Sequence, residues 1–368
     1  MKSALAPRRT RVVALASAAG VALALGACSS SSGGSDAGST GGGGGEKIGV
    51  SLITKDSVNP FFVAMQNGAK QEAAKLGTVD LTVSSGKADG DEQGQIQAIE
   101  NSIAKGDKGI LITPNGPGVN SSIKKARDQG LFVIALDTPP DPADTVDITF
   151  ATDNFKAGEL IGKWSAEQLK GKTATIAMLD LFNDKVVSVD VNRDQGFLTG
   201  MGIDVGDKTK NGDEAKTGTF AGGGSYTIVC NEPTQGSQDG GRSAMERCLA
   251  KNPDINLVYT INEPAAVGAH GALAGKSATI VSIDGGCDGV NQVKNKVIGA
   301  TSQQYPLKMA QLGVDAIAKI ATGGEKPANS PGLDFYDTGV ALVTDTPATG
   351  VESITADAGS KICWGTVS

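Results

Sequence analysis

Residues 47–62 read Lys-Ile-Gly-Val-Ser-Leu-Ile-Thr-Lys-Asp-Ser-Val-Asn-Pro-Phe-Phe, and this stretch decides the fold. An apolar run of strand length is followed by a polar loop. Asn59 then suits a helix cap and Pro60 suits the first helical turn. A strand that ends in polar residues before a helix places side chains at the carboxyl edge of a sheet, where open α/β folds bind ligands. Phe61 and Phe62 are therefore expected either to wall a pocket or to belong to the core.

The same alternation continues along the chain. From residue 46 onward, apolar runs of strand length alternate with longer runs of helical period, which is typical of βαβ units and a parallel sheet. The alternation reaches residue 152 and then begins again. We predict an α/β fold with two doubly wound parallel-sheet lobes joined by a three-strand hinge. The predicted lobes are 46–152 with 305–337, and 153–304 with 338–368. The Gly-rich, charged and aperiodic stretch 204–225 predicts a surface loop.

The first 27 residues have the pattern of an export signal. Four basic residues precede an apolar run of 14 residues, Val12–Leu25, which is too short to span a bilayer comfortably. The small residues before Cys28 resemble a bacterial lipoprotein signal, so Cys28 is expected to carry the lipid. Residues 28–45 are nearly all Ser and Gly and predict a flexible tether. We expect an exported protein that is lipid-anchored to the outer face of the cytoplasmic membrane.

Charge and length narrow the class of protein. The whole chain has a formal net charge of −7, and removing the four basic residues of the leader leaves 29 Lys plus Arg against 40 Asp plus Glu. This acidity argues against nucleic acid as a partner, because phosphate binding needs a basic surface. A globular part of about 320 residues exceeds the usual single core and favours two lobes.

Four cysteines remain after Cys28, and an even number in an exported protein favours two disulfides over metal ligands. The short spacing typical of zinc ligands is absent. Three pairings are possible. We favour Cys230 with Cys248 and Cys287 with Cys363, because the first pair would tie the end of a strand to the helix that follows it.

Polar residues follow most of the predicted strands, where a ligand would bind. Carboxylates and amides that converge there can bond neighbouring hydroxyls, and an arginine adds a fork of donors. This inventory suits a polyhydroxylated, uncharged ligand, although each residue type is also common in helix caps and turns. The main candidates are Asn59, Asp137, Arg193, Asn262, Asp284 and Gln304. Candidates of lower weight are Asp180, Thr113, Thr138 and Thr152.

No pattern indicates catalysis. The single histidine, His270, lies in a Gly/Ala-rich helical context without a Ser or Cys nucleophile beside it. The triple glycine 222–224 lacks the Lys-Ser/Thr that follows in a phosphate-binding loop. We therefore expect a protein that is not an enzyme and that has neither a cofactor nor a metal site.

Seven blocks of sequence resemble, in this order, the sugar-binding lipoproteins and periplasmic proteins of ABC importers in the ribose-binding class. The resemblance implies the fold of the type I periplasmic binding proteins. Within the class the chain looks most like the fructose-binding components, which it also resembles in its cysteines and in Cys363-Trp364-Gly365. The seven blocks are 59–62, 136–138, 151–154, 193–197, 262–264, 283–286 and 303–306. Those closest to the fructose binders are 110–114, 135–139, 150–158, 259–266 and 301–308.

The resemblance implies sugar-contacting positions and a function. It implies a lipid-anchored substrate-binding protein, expected as a monomer, that captures a monosaccharide, fructose first, and delivers it to an ABC permease. Thr138 stands where ribose binders typically carry Arg, and Ile283 where they carry Phe, which weakens a ribose assignment. Lys55 is a candidate for the missing cationic donor, and an aromatic residue expected near Gly236 is absent. The implied contacts are Asn59, Phe61, Asp137, Arg193, Asn262, Asp284 and Gln304, with Phe62 as a second aromatic wall.

Several alternatives remain open at this stage. The ligand could be another monosaccharide or polyol such as ribose, xylose or inositol, and the protein could pass closure to a signalling receptor. A transcription regulator with this fold is disfavoured because the N-terminus carries a leader and a tether in place of a helix-turn-helix. A secreted enzyme is disfavoured by the missing nucleophile–base pair.

Overall fold

The computed structural model describes residues 47–366, so the leader, Cys28 and the tether lie outside the described residues. No helix in the described range combines the length and the apolar character needed to cross a membrane. The strands of this range, in chain order, are β1 (Ile48–Thr54), β2 (Val79–Ser85), β3 (Gly109–Ile112), β4 (Phe132–Leu136), β5 (Ile148–Ala151), β6 (Ala174–Asp180), β7 (Thr217–Thr219), β8 (Ser225–Pro233), β9 (Leu257–Thr260), β10 (Thr279–Asp284), β11 (Ala300–Gln303), β12 (Tyr336–Asp337) and β13 (Ala341–Val343).

The helices alternate with these strands and cover the sheets. Many begin at a capping residue: Asn59, for example, accepts a hydrogen bond from the Phe61 N–H. The described helices are α1 (Pro60–Leu76), α2 (Glu92–Lys105), α3 (Asn120–Asp128), α4 (Asn154–Gln168), α5 (Ser188–Met201), α6 (Gln238–Lys251), α7 (Glu263–Leu273), α8 (Cys287–Lys294), α9 (Pro306–Ala321) and α10 (Ala356–Gly359).

Two sheets organise these elements. The first has the order β12-β5-β4-β3-β1-β2, and all of its strands are parallel. The second has the order β13-β11-β10-β9-β6-β8-β7, with antiparallel pairing only at its two edges. The α/β fold with two parallel-sheet lobes, predicted from the alternation, is confirmed.

The chain crosses between the sheets three times. It leaves the first sheet after Ala151, returns to it after Gln303, and crosses again between Asp337 and Ala341. Because all three crossings are short, the carboxyl ends of both sets of parallel strands are brought to one shared cleft. The three crossings agree with the predicted three-strand connection.

Three local predictions were wrong. The sequence indicates no helix at residues 287–294, where the structure has α8, and the apolar run that begins at Val297 predicts a strand Val297–Thr301, whereas β11 begins at Ala300. The backbone N–H groups of Val297 and Ile298 both donate to Gln292 O at the end of α8, so these residues complete the helix terminus. The predicted loop 204–225 contains β7, which pairs with β8, and a buried Phe220, so part of it is an edge hairpin.

Glycines set the distance between α4 and α5, the helices that cover one face of the second sheet. A Cβ atom on Gly158 would overlap Arg193 O, and a Cβ atom on Gly196 would overlap Phe155 O. Gly162 and Gly200 make equivalent close approaches one turn further along each helix. The two backbones therefore touch directly, which only residues without Cβ permit. This contact fixes the position of Arg193 on α5.

Both disulfides of the favoured pairing are present in the structure. Cys230–Cys248 joins β8 to α6, and Cys287–Cys363 joins the start of α8 to the C-terminal segment. The pairing chosen from three alternatives is therefore confirmed, including the expected tie between a strand and the helix that follows it.

A buried group of acidic side chains lies between α5 and the second sheet. Burial raises the pKa of Asp190 to about 8 and that of Asp180 to about 6, and it raises the pKa of Asp194 well above its usual value. The Asp180 charge adds to the rise of the Asp194 pKa, and Gln195 Nε2 donates to Asp194 Oδ1 at 3.0 Å. The folded protein therefore retains protons here that the unfolded chain would release.

Stability is expected to fall as the pH rises from 5 to 8. An acid with a raised folded pKa stabilises the protein fully below its unfolded pKa, about 4, and this contribution is lost as the pH rises through the folded pKa. Asp194→Asn keeps the shape and a donor toward Asp180 without a titrating proton, so it should flatten this slope. Thermal melting in sugar-free buffer at several pH values measures this slope. A change of about 1 kcal/mol in the free energy of unfolding shifts the melting temperature by about 2 to 4 °C.

The matched control for Asp194→Asn is Asp128→Asn, at the exposed end of α3. This variant should melt with the pH profile of the unaltered protein. A profile for Asp194→Asn as steep as that of the unaltered protein would contradict the role given to Asp194.

Candidate ligand-binding site

A small cavity lies where the carboxyl ends of the parallel strands of both sheets meet. Its volume is about 30 Å³. The first sheet and its helices contribute half of the lining, and the second sheet and its helices contribute the rest. The lining residues are Lys55, Asn59, Phe61, Phe62, Asp89, Asp137, Leu181, Val189, Arg193, Ile261, Asn262 and Asp284.

Arg193 is the central polar residue of this cavity. Its Nε donates to Asn154 Oδ1 at 2.7 Å and its Nη1 donates to Ile261 O at 3.0 Å. Nη2 lies 3.6 Å from Asp137 Oδ1, and Nη1 lies 4.0 Å from Asp284 Oδ1. The guanidinium group therefore connects a carboxylate of each sheet, and its side chain is only 6% exposed.

The two carboxylates differ in their protein partners. Asp137 Oδ1 is buried and has no hydrogen bond within the described residues, while Oδ2 accepts from Thr138 Oγ1 at 2.8 Å. Asp284 Oδ1 accepts from Gln304 Nε2 at 3.0 Å. Both aspartates have positive φ angles, 64° and 147°, which side-chain-bearing residues rarely adopt. Such strain clusters at ligand sites, where the surroundings hold it in place.

Burial also controls the charge of the second carboxylate. It raises the pKa of Asp284 to about 7, an effect that the nearby Arg193 opposes. Behind Asp284, burial and the Asp284 charge raise the pKa of Glu263 to about 8. Glu263 accepts hydrogen bonds from the N–H groups of Gly285 and Gly286 and from Thr301 Oγ1. It thereby holds the turn that presents Asp284.

The aromatic wall comes from the first turn of α1. Phe61 and Phe62 meet edge to face, with ring centroids 5.5 Å apart, and both belong to the core beneath the first sheet. Phe61 also meets Trp364 edge to face at 5.4 Å. Trp364 Nε1 donates to Gln304 O at 2.9 Å. Phe61 and Phe62 therefore serve both alternatives of the sequence analysis, because they are core residues that also line the cavity.

Lys55 occupies the outer end of the cavity. Its side chain is 2% exposed, and Nζ lies 3.5 Å from Asp89 Oδ1. Beyond this pair the cavity adjoins a larger outer space, the vestibule, of about 310 Å³. Asn59 and Asp89 line both spaces. The vestibule is lined by Asp56, Val58, Asn59, Pro60, Lys87, Ala88, Asp89, Gln235, Gly236, Ser237, Gln238 and Pro264.

Comparison with known proteins identifies the family. A family model described as the periplasmic binding protein domain matches residues 48–326. The chain belongs to the periplasmic binding protein family. The ribose import binding protein RbsB of Salmonella typhimurium is 27% identical over 286 residues, covering 77% of this chain and 88% of that protein. The D-apiose import binding protein of Actinobacillus succinogenes is 28% identical over 273 residues, covering 72% of this chain and 79% of that protein.

Solved structures have the same fold. An ABC transporter solute-binding protein from Actinobacillus succinogenes with bound D-allose has a TM-score of 0.67 at 23% identity, covering 81% of this chain and 98% of that one. Another solute-binding protein, from Agrobacterium vitis with bound α-D-tagatopyranose, has a TM-score of 0.69 at 21% identity, covering 87% of this chain and 100% of that one. These relatives and neighbours are binding proteins of transporters, as the absence of catalytic patterns predicts for this chain.

Together with Lys55, Phe61 and Phe62, the six main candidates make nine, and the structure of this periplasmic binding protein places eight of the nine around one cavity. The ninth, Gln304, lies behind it and bonds Asp284. Asn262 lines the cavity and also caps α7, where its Oδ1 accepts from Ala265 N and its Nδ2 donates to Gly236 O. Asn262 and Gln304 therefore have structural roles whether or not they touch a ligand.

The candidates of lower weight do not line the cavity. Thr138 bonds Asp137, Thr152 bonds Gly339 O near the third crossing, and Thr113 is buried beneath the site. Asp180 belongs to the buried acidic group. A polar residue at a strand end faces the cleft or the layer behind it depending on the pleat, which explains these differences. No cluster of acidic, His or Cys side chains suited to a metal occurs between residues 47 and 366.

Sequence reasoning missed several lining residues. Asp89 follows β2 and obeys the same strand-end rule as the others, so that rule could have found it. Leu181 follows Asp180 directly and Ile261 follows β9, but apolar residues at such positions look like core. Val189, in the first turn of α5, carries no signal in the sequence.

Proposed function

We propose that this periplasmic binding protein captures a monosaccharide between its two lobes and delivers it to an ABC sugar importer, with fructose as the first-choice ligand. The observation that carries the proposal is the arrangement of Arg193 between Asp137 and Asp284 in a cavity that Phe61 also lines. A guanidinium fork and carboxylate oxygens bond the hydroxyls of a sugar, while an aromatic face accepts its C–H groups.

The balance of charge supports a neutral ligand. The cavity holds the cations Lys55 and Arg193 together with the carboxyl groups of Asp89, Asp137 and Asp284. Lys55 pairs with Asp89, and Arg193 lies between Asp137 and Asp284. Burial raises the pKa of Asp284 to about 7, and with this carboxyl protonated the two cations balance the two remaining carboxylates, so an ionised ligand would leave one sign in excess at a buried site. Hydroxyl groups, which both donate and accept, can satisfy both kinds of partner.

The choice of fructose rests on the sequence. Thr138 and Ile283 depart from the pattern of the ribose binders, whereas several blocks resemble the fructose binders. Ribose is the second candidate, because several similar proteins are named for ribose import. Xylose and inositol complete the set of ligands that the experiment should include.

Binding is proposed to work by closure. A sugar that touches both lobes binds the closed form better and shifts an open–closed equilibrium about the three crossings. The permease would recognise the closed form. We also propose the lobe boundaries given by the sequence, a lipid anchor at Cys28 and a monomeric state.

Isothermal titration calorimetry of the purified protein tests the function. Fructose is expected to release or absorb heat with saturable, one-to-one binding, and ribose, xylose, glucose and inositol serve as competitors. Binding to the folded state alone should also raise the melting temperature. The absence of heat with every sugar would reject the proposed function, whereas binding of ribose alone would reject fructose and keep the class.

A further inference from the structure

The ion pair Lys55–Asp89 has hydrogen-bonding capacity that the protein does not use. A lysine ammonium group has three donors, and the salt-bridge partner of Lys55 among residues 47–366 is Asp89, at 3.5 Å. Asp89 Oδ1 is buried and receives no hydrogen bond within the same range. Buried polar atoms without partners are rare, because each costs free energy. The pair therefore presents an unused donor and an unused acceptor side by side.

The location of the pair connects it to the ligand. Both side chains line the small cavity that Arg193 also lines. Asp89 also lines the vestibule, which is about ten times larger by the volumes of 30 and 310 Å³. Gly236, which has no side chain, forms part of the opposite wall. A substituent that leaves a bound sugar ring in this direction has room and meets Lys55 and Asp89 first.

We propose that Lys55 and Asp89 form a second polar subsite that binds an exocyclic hydroxymethyl group of the sugar and so favours hexoses such as fructose over pentopyranoses, which carry no such group. This inference rests on the proposed function and specifies its ligand class. A hydroxyl group accepts a hydrogen bond from the lysine and donates one to the carboxylate at the same time, so it uses both the unused donor and the unused acceptor. An anionic substituent would satisfy Lys55 and repel Asp89, and an alkyl substituent would satisfy neither.

The surrounding charges keep the subsite polar. Burial raises the pKa of Asp89 from its ordinary value, and the Asp56 charge adds to this, while Lys55 and Lys185 oppose it. In either protonation state the Asp89 carboxyl offers an acceptor oxygen to the ligand. The subsite therefore needs no change of charge in order to bind a hydroxyl.

The experiment compares deoxy sugars with side-chain variants. Calorimetry of the full protein uses fructose, 1-deoxyfructose and 6-deoxyfructose, and the variants are Asp89→Ala, Asp89→Asn and Lys55→Met. One of the two deoxy sugars should bind the unaltered protein at least tenfold more weakly than fructose, because it lacks the hydroxyl group that uses Lys55 and Asp89. Since O6 also closes the pyranose ring of fructose, a loss with 6-deoxyfructose supports the subsite only together with the result for Asp89→Ala. Asp89→Ala should weaken fructose at least tenfold but change the affinity for that deoxy sugar less than twofold.

The controls separate a subsite from a fold defect. Asp80→Ala removes an exposed ion pair between Asp80 on β2 and Lys105 at the end of α2, in which Oδ2 and Nζ are 2.9 Å apart. This variant should leave the affinity for every sugar unchanged. Asp89→Asn keeps an acceptor and should retain more affinity than Asp89→Ala. Equal losses for all three sugars in Asp89→Ala, or no loss for any, would overturn the subsite while the proposed function stands. If the unaltered protein binds no sugar at all, both proposals fail, and the first titration distinguishes this case.

Discussion

Arg193→Ala is expected to abolish sugar binding, by at least a hundredfold in affinity, and to lower the stability of the protein. The guanidinium group is almost fully buried and holds Asn154, Ile261 O and the two site carboxylates. Removing one partner from a buried group of charges costs about 3 to 5 kcal/mol, because the remaining charges lose their compensation. Calorimetry measures the affinity, and chemical denaturation measures the free energy of unfolding.

Two further variants interpret this result. Arg193→Lys keeps the positive charge but not the planar fork, so it should recover part of the stability and little of the affinity. Arg242→Ala removes an exposed arginine paired with Glu246 on α6 and should change the free energy of unfolding by less than about 0.5 kcal/mol. Near-normal affinity in Arg193→Ala would show that the ligand does not bind at this cavity.

Gly196→Ala is expected to destabilise the protein by about 3 kcal/mol or more. The added methyl group would overlap Phe155 O, and a backbone carbonyl cannot turn away as a flexible side chain can. Overpacking typically costs about 1 to 3 kcal/mol, and a rigid neighbour places this case at the upper end. Because α5 must shift, Arg193 leaves its position, and sugar affinity should fall together with the melting temperature.

Gly271→Ala provides the matched control on α7. Gly271 is also a helical glycine, but the only atom near its added methyl group would be Arg242 Nη1, at 3.9 Å. This substitution should raise stability by about 0.5 to 1 kcal/mol, because alanine favours the helix. If both substitutions changed stability equally, direct contact between α4 and α5 would not explain the role of Gly196.

The architecture followed from the sequence wherever the hydrophobic period was long and uninterrupted. The patterns of residues 306–321 and 132–136 predict helix α9 and strand β4 with the bounds they have, and the four apolar residues of the opening strand, Ile48, Val50, Leu52 and Ile53, all lie in β1. Helix α8 was missed because its eight residues include Gly289 and Asn291, which are poor helix formers. In the structure it is held by tertiary contacts: Gly289 lies directly against the Glu263 carboxylate. Packing, which the sequence does not display, decided this element.

The position of the candidate site could also be predicted from the sequence, because it follows from the order of strands and helices. Because parallel strands bring their carboxyl ends to one edge, the polar residues that follow the strands in the sequence indicate the position of the cavity. The strand-end rule does not say which way a side chain turns. It therefore included Asp180, which faces the buried acidic group, and Gln304, which positions Asp284. Whether the cavity residues contact a sugar stays a prediction.

Because Trp364 contacts the aromatic wall, the intrinsic fluorescence of the protein can serve as a probe of this site. The sequence contains two tryptophans. Trp164 Nε1 is bonded to Thr346 O on the far side of the second sheet, whereas Trp364 joins the ring of Phe61 to the carbonyl of Gln304 at a crossing between the sheets. A rotation of one lobe against the other changes the surroundings of the second indole and leaves the first unchanged. Ultraviolet emission would therefore follow the proposed closure in real time without an attached dye.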